Sequence, residues 1–415
     1  MQRIILHIDF DSFFASAEQQ FNPLLRGRPI GVTATNGRTC IIAASREAKA
    51  LGIKSPTRTF EAQRIYPSII FVPAHFTKYW EVSKIFVNAC KDFSPLVEIF
   101  SLDEVFMDVT RTAELFGGTL PLIEKIKSRL QVEIGEYITA SFGISHNKLL
   151  AKLASGLEKP NGVVMIKPED VQSIYQTTKL TDICGIGYRI EARLNQMGIY
   201  KLTQLSAAPL QALIAEFGNV EGIFLHQVGQ GLDTREVIPH TQDPGVKSVG
   251  RNYCLPANEY SKRKVLQNVF ELCEEVGIKL RRLNKKARNV GIFLRGDENV
   301  YGRKTYSYFM DSGKDLFDAC HSLLTVFPDY TRQIGIWASY LEDSDKIPSS
   351  LFDTEKKRKL RTTIDQINER FGDHTIRNGF LLDSPKLTTV PNGFMADRFE
   401  REKFAKEQKI IESLA

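Results

Sequence analysis

The feature that most constrains the fold is a pair of acidic clusters, about ninety residues apart, each at the end of an apolar run. Asp9-Phe10-Asp11 follows the strand-like residues 3–8, and Ser101-Leu102-Asp103-Glu104 lies between the apolar segments 97–100 and 105–109. Carboxylates packed at the rim of a core sheet repel one another and lose hydration, so they are tolerated mainly beside a cation. Hard divalent ions with oxygen ligands fit best. The pattern therefore predicts a sheet that joins both clusters in a two-metal, phosphoryl-transfer site.

These acidic residues have a second interpretation, because aspartate also favours solvated turns. Two independent clusters with apolar residues on both sides make that interpretation the weaker one. We therefore take Asp9, Asp103 and Glu104 as candidate metal ligands. Asp11 and Asp108 are candidate hydrogen-bonding residues of the framework.

Length and composition indicate a multidomain globular protein. A chain of 415 residues is too long for one compact core, so about two to four domains are expected. No apolar stretch approaches the length of a membrane span and the chain enters a strand without a signal-type segment, which predicts a cytoplasmic protein with no membrane contact. Six cysteines are scattered singly, which favours buried free thiols over disulfides or zinc ligands.

The net charge of +6 is concentrated in one segment. Residues 1–244 carry 25 basic and 25 acidic side chains and residues 341–415 carry 14 of each, whereas residues 245–340 carry 16 basic against 10 acidic. Such a segment is typical of a polyanion-binding surface. Five of its cations fall within residues 281–288, more than a helix C-terminus needs to complement its dipole, although a solvated helix end is the alternative.

Apolar periodicity predicts the order β-α-β-β-α-β in two parts of the chain. With residues 20–75 set aside, the first part is a ferredoxin-like sheet with an insertion, whose two acidic strand ends could lie side by side. Residues 171–235 are predicted to be all-helical, and a polar linker follows them. The predicted strands are 3–8, 97–101, 104–110, 138–144, 247–255, 289–295, 302–310 and 332–341, and the predicted helices include 77–93, 120–134, 261–283 and 314–326.

Two further segments suit phosphate binding. Lys159 precedes the rigid turn Pro160-Asn161-Gly162, which would fix its ammonium group for a triphosphate, while Lys148 and Lys152 flank a helix of small residues. A solvated helix face is the alternative for such lysines. Gly185-Ile186-Gly187 opens a helix whose backbone amides can hold a phosphate, and an ordinary helix–helix turn is an equally good interpretation.

Together these motifs resemble the Y-family, or translesion, DNA polymerases of the bacterial polymerase IV and polymerase V catalytic-subunit type. The resemblance covers about residues 1–341 in the family's order. The matching segments are residues 9–18 (DFDSFFASAE), 47–53 (EAKALGI), 101–104 (SLDE), 143–162, 185–187 (GIG) and 247–251 (KSVGR).

The resemblance implies an α+β, multidomain, right-hand polymerase with a ferredoxin-like palm, small fingers, a helical thumb with a helix-hairpin-helix, and a β-α-β-β-α-β little finger. The implied reaction is low-fidelity, template-directed addition of deoxynucleotides to a primer 3′-OH by two-metal phosphoryl transfer, in translesion synthesis and DNA repair. The implied domains are the catalytic palm (1–19 and 76–170), the fingers (20–75), the thumb (171–235), a linker (236–246), the DNA-binding little finger (247–341) and a partly disordered tail (342–415).

The resemblance also implies roles for residues of the first part. Asp9, Asp103 and Glu104 would bind two Mg²⁺ ions together with the Phe10 carbonyl, and Mn²⁺ could replace Mg²⁺. Phe14, next to Phe13 in the nucleotide site, stands where the family has a steric gate against ribonucleotides. Lys49, Lys159 and Arg46 would face the triphosphate. Arg46 and Lys49 replace a tyrosine and an arginine of many polymerase IV-type members, which leaves the subfamily and the role of Arg46 open.

Primer–template DNA and deoxynucleoside triphosphates are the implied partners. Leu351-Phe352 resembles the end of a sliding-clamp-binding peptide, although the family's Gln and first Leu are missing and ordinary linker hydrophobes are the alternative. Two other functions are alternatives to a DNA polymerase. A non-catalytic DNA-binding relative would lose the carboxylates, which are all present, and a nucleotide cyclase-like palm enzyme needs no thumb or basic second domain. The expected DNA contacts are Gly185, Gly187, Lys247, Ser248, Arg251, Arg281, Arg282, Lys285, Lys286 and Arg303.

Overall fold

The computed structural model describes residues 3–34, 40–239, 241–242, 245–347, 355–372, 375–385 and 387. These residues divide into two compact units, residues 3–242 and residues 245–387. Among the helices of these residues, none is long and apolar enough to cross a lipid bilayer.

The first unit contains nine strands and eleven α-helices within its described residues. In chain order they are β1 (Ile5–Phe10), α1 (Phe13–Phe21), β2 (Ile30–Thr33), β3 (Cys40–Ala44), α2 (Arg46–Ala50), β4 (Thr57–Arg58), α3 (Thr59–Ile65), β5 (Ile70–Pro73), α4 (Phe76–Lys91), β6 (Val97–Ile99), β7 (Glu104–Asp108), α5 (Thr119–Ile134), β8 (Ala140–Ser145), α6 (Lys148–Leu157), β9 (Val163–Met165), α7 (Val171–Thr177), α8 (Tyr188–Gln196), α9 (Leu202–Ala207), α10 (Leu210–Phe217) and α11 (Asn219–Gly229).

Strand β1 is the centre of a five-stranded sheet with the spatial order β6-β7-β1-β8-β9. It pairs antiparallel with β7 on one side and with β8 on the other. Its first four strands have the order of a ferredoxin-like sheet, which confirms that fold class. The fifth strand, β9, was not predicted, because three residues are too few to show a periodic pattern.

Alternation along β1 directs its side chains to two helical layers. Phe10 packs on Phe86 of α4, with 4.4 Å between the ring centroids, whereas His7 contacts Ser155 of α6. Asp9 lies two residues after His7 and therefore shares its face. The strand thus buries an apolar face on α4 and presents its acidic end on the α6 side.

The insertion and the helical segment are also ordered by local sequence. Residues 30–73 form a second four-stranded sheet in the order β4-β3-β2-β5. Helices α7 to α11 pack around a leucine-rich core that includes Leu194, Leu205 and Leu225. Gly185 has a φ of +106°, and a Cβ there would lie 2.6 Å from the Phe224 ring. Only glycine fits this turn, at the start of the predicted phosphate-binding hairpin.

The second unit is built on a four-stranded antiparallel sheet, in which residues 248–259, 331–343, 285–296 and 299–310 lie side by side in that order. Two long helices cover one face of it and bury a core that includes Val269, Leu280, Ile292 and Ile336. The predicted order of elements is correct here to within a few residues at each end. The elements are β10 (Ser248–Glu259), α12 (Lys262–Arg282), β11 (Lys285–Gly296), β12 (Asn299–Met310), α13 (Gly313–Leu323), β13 (Thr331–Asp343) and α14 (Glu355–Phe371).

Described residues of the C-terminal segment pack on α12, and the expectation of a partly disordered tail stays a prediction. Glu271 of α12, 0% exposed, accepts hydrogen bonds from Arg377 (2.7 Å) and from the Leu387 amide (2.8 Å). Gln267 donates to the Phe380 carbonyl at 2.8 Å. These contacts join residues more than a hundred positions apart, so local composition does not reveal them. Leu351-Phe352 lies outside the described residues.

Several cations predicted to contact DNA instead form ion pairs within the second unit. Arg281 makes two hydrogen bonds to Asp365 of α14, at 2.6 and 2.8 Å. Arg251 pairs with Glu275 of α12, so its side chain lies on the helix-covered face of the sheet. Lys285 pairs with Asp343. Arg251, Arg281 and Lys285 thus have carboxylate partners within the unit, and their contact with DNA phosphates stays a prediction.

The buried Arg377–Glu271 pair gives a first prediction. Replacing Arg377 by Gln should lower the free energy of unfolding by about 3 kcal/mol, because it leaves a buried carboxylate without its guanidinium. Urea unfolding followed by circular dichroism measures the loss. The matched control is Arg263→Gln, whose ion pair with Asp383 has side chains 70% and 74% exposed. That control should cost about 0.5 kcal/mol or less. Equal losses in the two variants would contradict a special role for the buried pair.

Candidate active site

The register of the central sheet brings the two acidic clusters together. Asp9 of β1 is the direct cross-strand partner of Glu104 of β7. The Phe10 amide donates to the Asp103 carbonyl at 2.9 Å, so the chain preceding β7 stays beside β1. The predicted juxtaposition of these strand ends is therefore what the structure shows.

Glu104 is held by a network that the sequence analysis missed. His7 Nε2 lies 3.0 Å from Glu104 Oε2, and His7 Nδ1 lies 2.7 Å from Ser155 Oγ. Lys152 forms an ion pair with the same carboxylate oxygen. Burial would raise the pKa of Glu104, but the His7 hydrogen bond and the Lys152 charge outweigh it and lower the pKa to about 2. The sequence position of His7 could have revealed this role, because His7 precedes Asp9 by two residues on a strand and so lies on the same face of the sheet.

His7 belongs to the site as a buried, neutral group. Burial lowers its pKa, even though hydrogen bonding to Glu104 acts in the opposite direction. Ligand atoms of His7, Asp9 and Glu104 lie within 4.8 Å of one another. The imidazole is already committed to Glu104 and Ser155, so its geometry fits orientation of the carboxylate.

Asp103 is the least compensated carboxylate of the cluster. Burial, and then the charge of Asp9, raise its pKa to about 6, although the Ser101 hydroxyl donates a hydrogen bond to it. Lys159 pairs with Asp9. The cluster thus combines three carboxylates with two ammonium groups, those of Lys152 and Lys159. An oxygen donor set with surplus negative charge fits a hard divalent cation.

Asp11 has the framework role suggested by the sequence. Its carboxylate accepts hydrogen bonds from the Thr139 hydroxyl (2.6 Å), the Ser141 hydroxyl (2.7 Å) and the Asn161 amide (2.8 Å). It therefore joins β1 to β8 and to the turn that follows Lys159. Asp108 is likewise engaged, since it accepts from the Thr110 amide at 3.0 Å.

A cleft of about 460 Å³ opens beside the cluster. On its floor Phe14 stacks on Tyr79, with ring centroids 4.4 Å apart and an angle of 13° between the planes. The Tyr79 hydroxyl donates to Glu18 at 2.7 Å, which fixes the ring beneath Phe14. The residues lining the cleft are Asp9, Phe10, Ser12, Phe13, Phe14, Ile42, Ala43, Ala44, Lys49, Lys54, Ser55, Asp103 and Lys159.

Cations approach the cleft from opposite sides. Lys49 donates to the Ser12 hydroxyl at 2.8 Å, and its pKa is lowered by burial and by the charge of Lys159. Lys54 and Ser55 also line the cleft and were missed, because nothing in their local sequence distinguishes them from surface residues. Arg46 donates to the Thr139 hydroxyl, the group that also donates to Asp11. The structure thus gives Arg46 a contact with the framework of β8.

Sequence comparison identifies known proteins that resemble each part of the chain. Residues 8–156 match the impB/mucB/samB family, residues 181–233 the thumb domain of DNA polymerase iota, and residues 246–351 the C-terminal domain of the impB/mucB/samB family. DNA polymerase IV of Pelotomaculum thermopropionicum is 33% identical over 402 residues, which cover 95% of this chain and 97% of that protein. DNA polymerase IV of Moorella thermoacetica is 34% identical over 387 residues, with 91% and 96% covered.

A solved structure agrees with these relatives. A Y-family DNA polymerase chimera of Dbh and Dpo4 superimposes with a TM-score of 0.69 at 27% identity. The match covers 81% of this chain and 98% of that one.

The uncompensated charge of Asp103 gives a prediction about pH. Its pKa of about 6 lies above the usual 3.8, so the folded state binds more protons and loses stability as pH rises from 4 through 6. In EDTA at pH 7.5, Asp103→Asn should therefore unfold at a higher temperature than the parent. The gain in the free energy of unfolding should be at most about 3 kcal/mol, and it should vanish near pH 4. Mg²⁺ should stabilise the parent more than the variant. An unchanged or lowered melting temperature at pH 7.5 would show that burial does not strain this carboxylate.

Proposed function

Because the chain belongs to the Y-family DNA polymerases and is a DNA-directed DNA polymerase, we propose that the cluster around Asp9 is the site of low-fidelity, template-directed nucleotide addition in translesion synthesis and repair. The observation that carries the proposal is the pairing of Asp9 with Glu104 at the mouth of a cleft that also contains Asp103, Phe14, Lys49 and Lys159. Primer–template DNA and nucleotide substrates follow from the family. We propose that the protein acts on this DNA in the cytoplasm.

The domain roles form part of this proposal. The ferredoxin-like sheet supports a catalytic palm at 1–19 and 76–170, and the second small sheet supports fingers at 20–75. The five-helix segment supports a thumb at 171–235, followed by a linker at 236–246. The second unit supports a little finger at 247–341, and α14 makes part of the tail, 342–415, an integral layer of that unit.

Asp9, Asp103 and Glu104 would hold two Mg²⁺ ions, with the Phe10 carbonyl as a further ligand and Mn²⁺ able to substitute. When bound, the ions lower the pKa of the primer 3′-OH and neutralise charge on the pyrophosphate leaving group. His7 and Lys152 would keep Glu104 ionised and oriented. Their contacts with Oε2 support this role.

The cationic residues would orient the triphosphate. Lys159 is carried by a turn whose Asn161 amide is tied to Asp11, so its ammonium group can exchange the Asp9 carboxylate for phosphate oxygens with little backbone movement. Lys49 would approach from α2, and Lys54 also lines the cleft. Arg46 would brace β8 through Thr139.

Low fidelity has its own structural support. Strand β3 contributes Ala43 and Ala44 to the cleft lining, and the segment before β4 contributes Ser55. Short side chains leave room around a nascent base pair, so the site would reject misshapen pairs weakly. The same room would admit damaged template bases.

DNA contacts are proposed at residues that the structure leaves in suitable positions. The backbone amides of the Gly185–Gly187 turn precede α8 and would hold a phosphate. Ser248 and Arg303 lie on the face of the second unit's sheet away from its helices. Lys247 precedes β10 and would add a phosphate contact.

Substituting the carboxylates tests the catalytic proposal. Asp9→Ala, Asp103→Ala and Glu104→Ala should each reduce primer extension in Mg²⁺ by more than about a thousandfold, because transition-state charge is no longer stabilised. Primer–template affinity, measured by fluorescence anisotropy, should change by less than about threefold, since phosphate contacts elsewhere supply most of it. Glu124→Ala, a change at an exposed carboxylate on α5 outside the cluster, is the control. Parallel loss of affinity and activity would indicate damage to folding and refute the assignment.

Phe14 gives a test of sugar selection. The ring is fixed on Tyr79, so we propose that it occupies the space a ribose 2′-OH would need. Phe14→Ala should raise ribonucleotide incorporation by at least about a hundredfold relative to deoxynucleotide incorporation, as measured by the ratio of kcat/KM values. Phe76→Ala is the control, because Phe76 touches the same ring edge-on. A Phe14→Ala enzyme that still excludes ribonucleotides would place the gate at another residue.

A further inference from the structure

Glu18 is a buried carboxylate of α1 that no step of the proposed reaction uses. Its residue is 3% exposed, and it follows Phe14 by one helical turn, on the same face of α1. Burying a carboxylate costs free energy unless polar partners compensate for the lost hydration. The partners of Glu18 therefore indicate why the fold keeps a charged group at this position.

Three side chains at the start of α4 contact the Glu18 carboxylate. The Tyr79 hydroxyl donates to Oε1 at 2.7 Å, and His75 Nδ1 lies 2.9 Å from the same oxygen. Lys78 Nζ lies 3.7 Å from Oε2. Positions 75, 78 and 79 are three and four residues apart, so they share one face of the helix start. A single carboxylate thus attaches this face of α4 to α1.

Tyr79 connects the Glu18 carboxylate to the nucleotide cleft. Its ring stacks on Phe14, with 4.4 Å between the centroids and 13° between the planes, while its hydroxyl is held by Glu18. Stacked rings attract one another over a range of offsets, so stacking alone leaves a ring free to slide. The hydrogen bond to Glu18 removes that freedom. Tyr79 is 0% exposed, so it can affect a bound nucleotide only through Phe14, which lines the cleft.

Sugar selection makes a strict demand on the position of Phe14. A ribonucleotide differs from a deoxynucleotide by one oxygen atom, and an apolar pocket by itself rejects an added hydroxyl by only about a hundredfold. Stronger rejection needs a ring that does not yield when the hydroxyl presses on it. Side chains that set specificity have to be held to within about 0.5 Å by the residues packed behind them.

We propose that Glu18 and Tyr79 are positioning residues for sugar selection: the carboxylate anchors the Tyr79 hydroxyl, and the anchored ring holds Phe14 in the space that a ribose 2′-OH would need. His75 and Lys78 hold the carboxylate in place from the same helix. This assignment rests on the proposed role of Phe14, and it extends that role to two residues that contact no substrate.

Tyr79→Phe tests the anchor, because it removes only the hydroxyl. Primer extension by the full-length protein in Mg²⁺ gives kcat/KM for a deoxynucleotide and for the matching ribonucleotide. Their ratio should fall by about tenfold in the variant, because the value for the ribonucleotide rises. Damage to the fold would lower both values and would not accelerate ribonucleotide incorporation. An unchanged ratio would overturn the proposal.

Tyr175→Phe is the matched control. Tyr175 is also 0% exposed, and its hydroxyl donates to the Val228 carbonyl at the same distance of 2.7 Å. The control therefore deletes an equally buried hydrogen bond among the helices of residues 171–229, at residues that do not line the cleft. Its ratio should equal that of the parent. A fall as large as in Tyr79→Phe would make the effect a general one and would refute the assignment.

Two variants of Glu18 test the carboxylate itself. Glu18→Met removes the acceptor with little change in volume, so the ratio should fall as it does in Tyr79→Phe. Glu18→Gln keeps an oxygen that can accept the hydroxyl, and it should restore most of the parent's ratio. Because Glu18→Met and Tyr79→Phe break the same hydrogen bond, combining them should produce little further fall. Equal ratios in the Gln and Met variants would rule out the hydrogen bond as the anchor. Tyr79→Phe keeps the proposal testable even if Glu18→Met fails to fold.

The Phe14→Ala background separates the anchor from the gate. In that background Tyr79→Phe should change the ratio by less than about twofold, because the ring that Tyr79 holds is gone. A full tenfold effect there would show that Tyr79 acts independently of Phe14, against the proposal. If Phe14→Ala still excludes ribonucleotides, the gate assignment itself fails. If Phe14→Ala admits them and Tyr79→Phe leaves the ratio unchanged, the anchor fails and the gate stands.

Discussion

The antiparallel register of β1 with β7 places Asp9 opposite Glu104, and the site depends on this pairing. It brings like charges together at the strand ends of a largely apolar sheet, which costs free energy. The fold offsets that cost with two ammonium groups and a buried imidazole, at Lys152, Lys159 and His7. Compensation is incomplete at Asp103, whose pKa is raised by burial and by Asp9. The residual negative charge is what suits the cluster to a divalent cation.

Asp11 connects the acidic cluster to the turn that follows Lys159. Its three hydrogen bonds reach two residues of the β8 region and the backbone of the turn that follows Lys159. One buried carboxylate thereby sets the distance between the end of β1 and the ammonium group facing it. The motif at 9–11 therefore supplies Asp9 as a candidate metal ligand. It also supplies Asp11, which positions the turn after Lys159, some 150 residues later in the chain.

Periodicity predicted most of the elements, because long amphipathic helices and alternating strands express their burial locally. The paired acidic clusters likewise predicted that the two strand ends would lie together, as Asp9 and Glu104 do. His7, Tyr79, Lys54 and Ser55 were missed as site residues, since their roles arise from cross-strand and interhelical neighbours that local sequence does not encode. The ion pairs of Arg251 and Arg281 were missed for the same reason, because Glu275 and Asp365 lie on other elements of the unit.

Those ion pairs change how the basic segment should be understood. Counting charges suggests that residues 245–340 hold DNA mainly by their surplus of cations, yet some of these cations are neutralised internally by α12, α14 and the end of β13. Because ion pairs within the unit offset part of this surplus charge, DNA bound there should release fewer counterions, and its affinity should depend less steeply on ionic strength than composition implies. The charged side chains that stay available after folding, and not the net charge of the segment, determine how strongly this unit can bind nucleic acid.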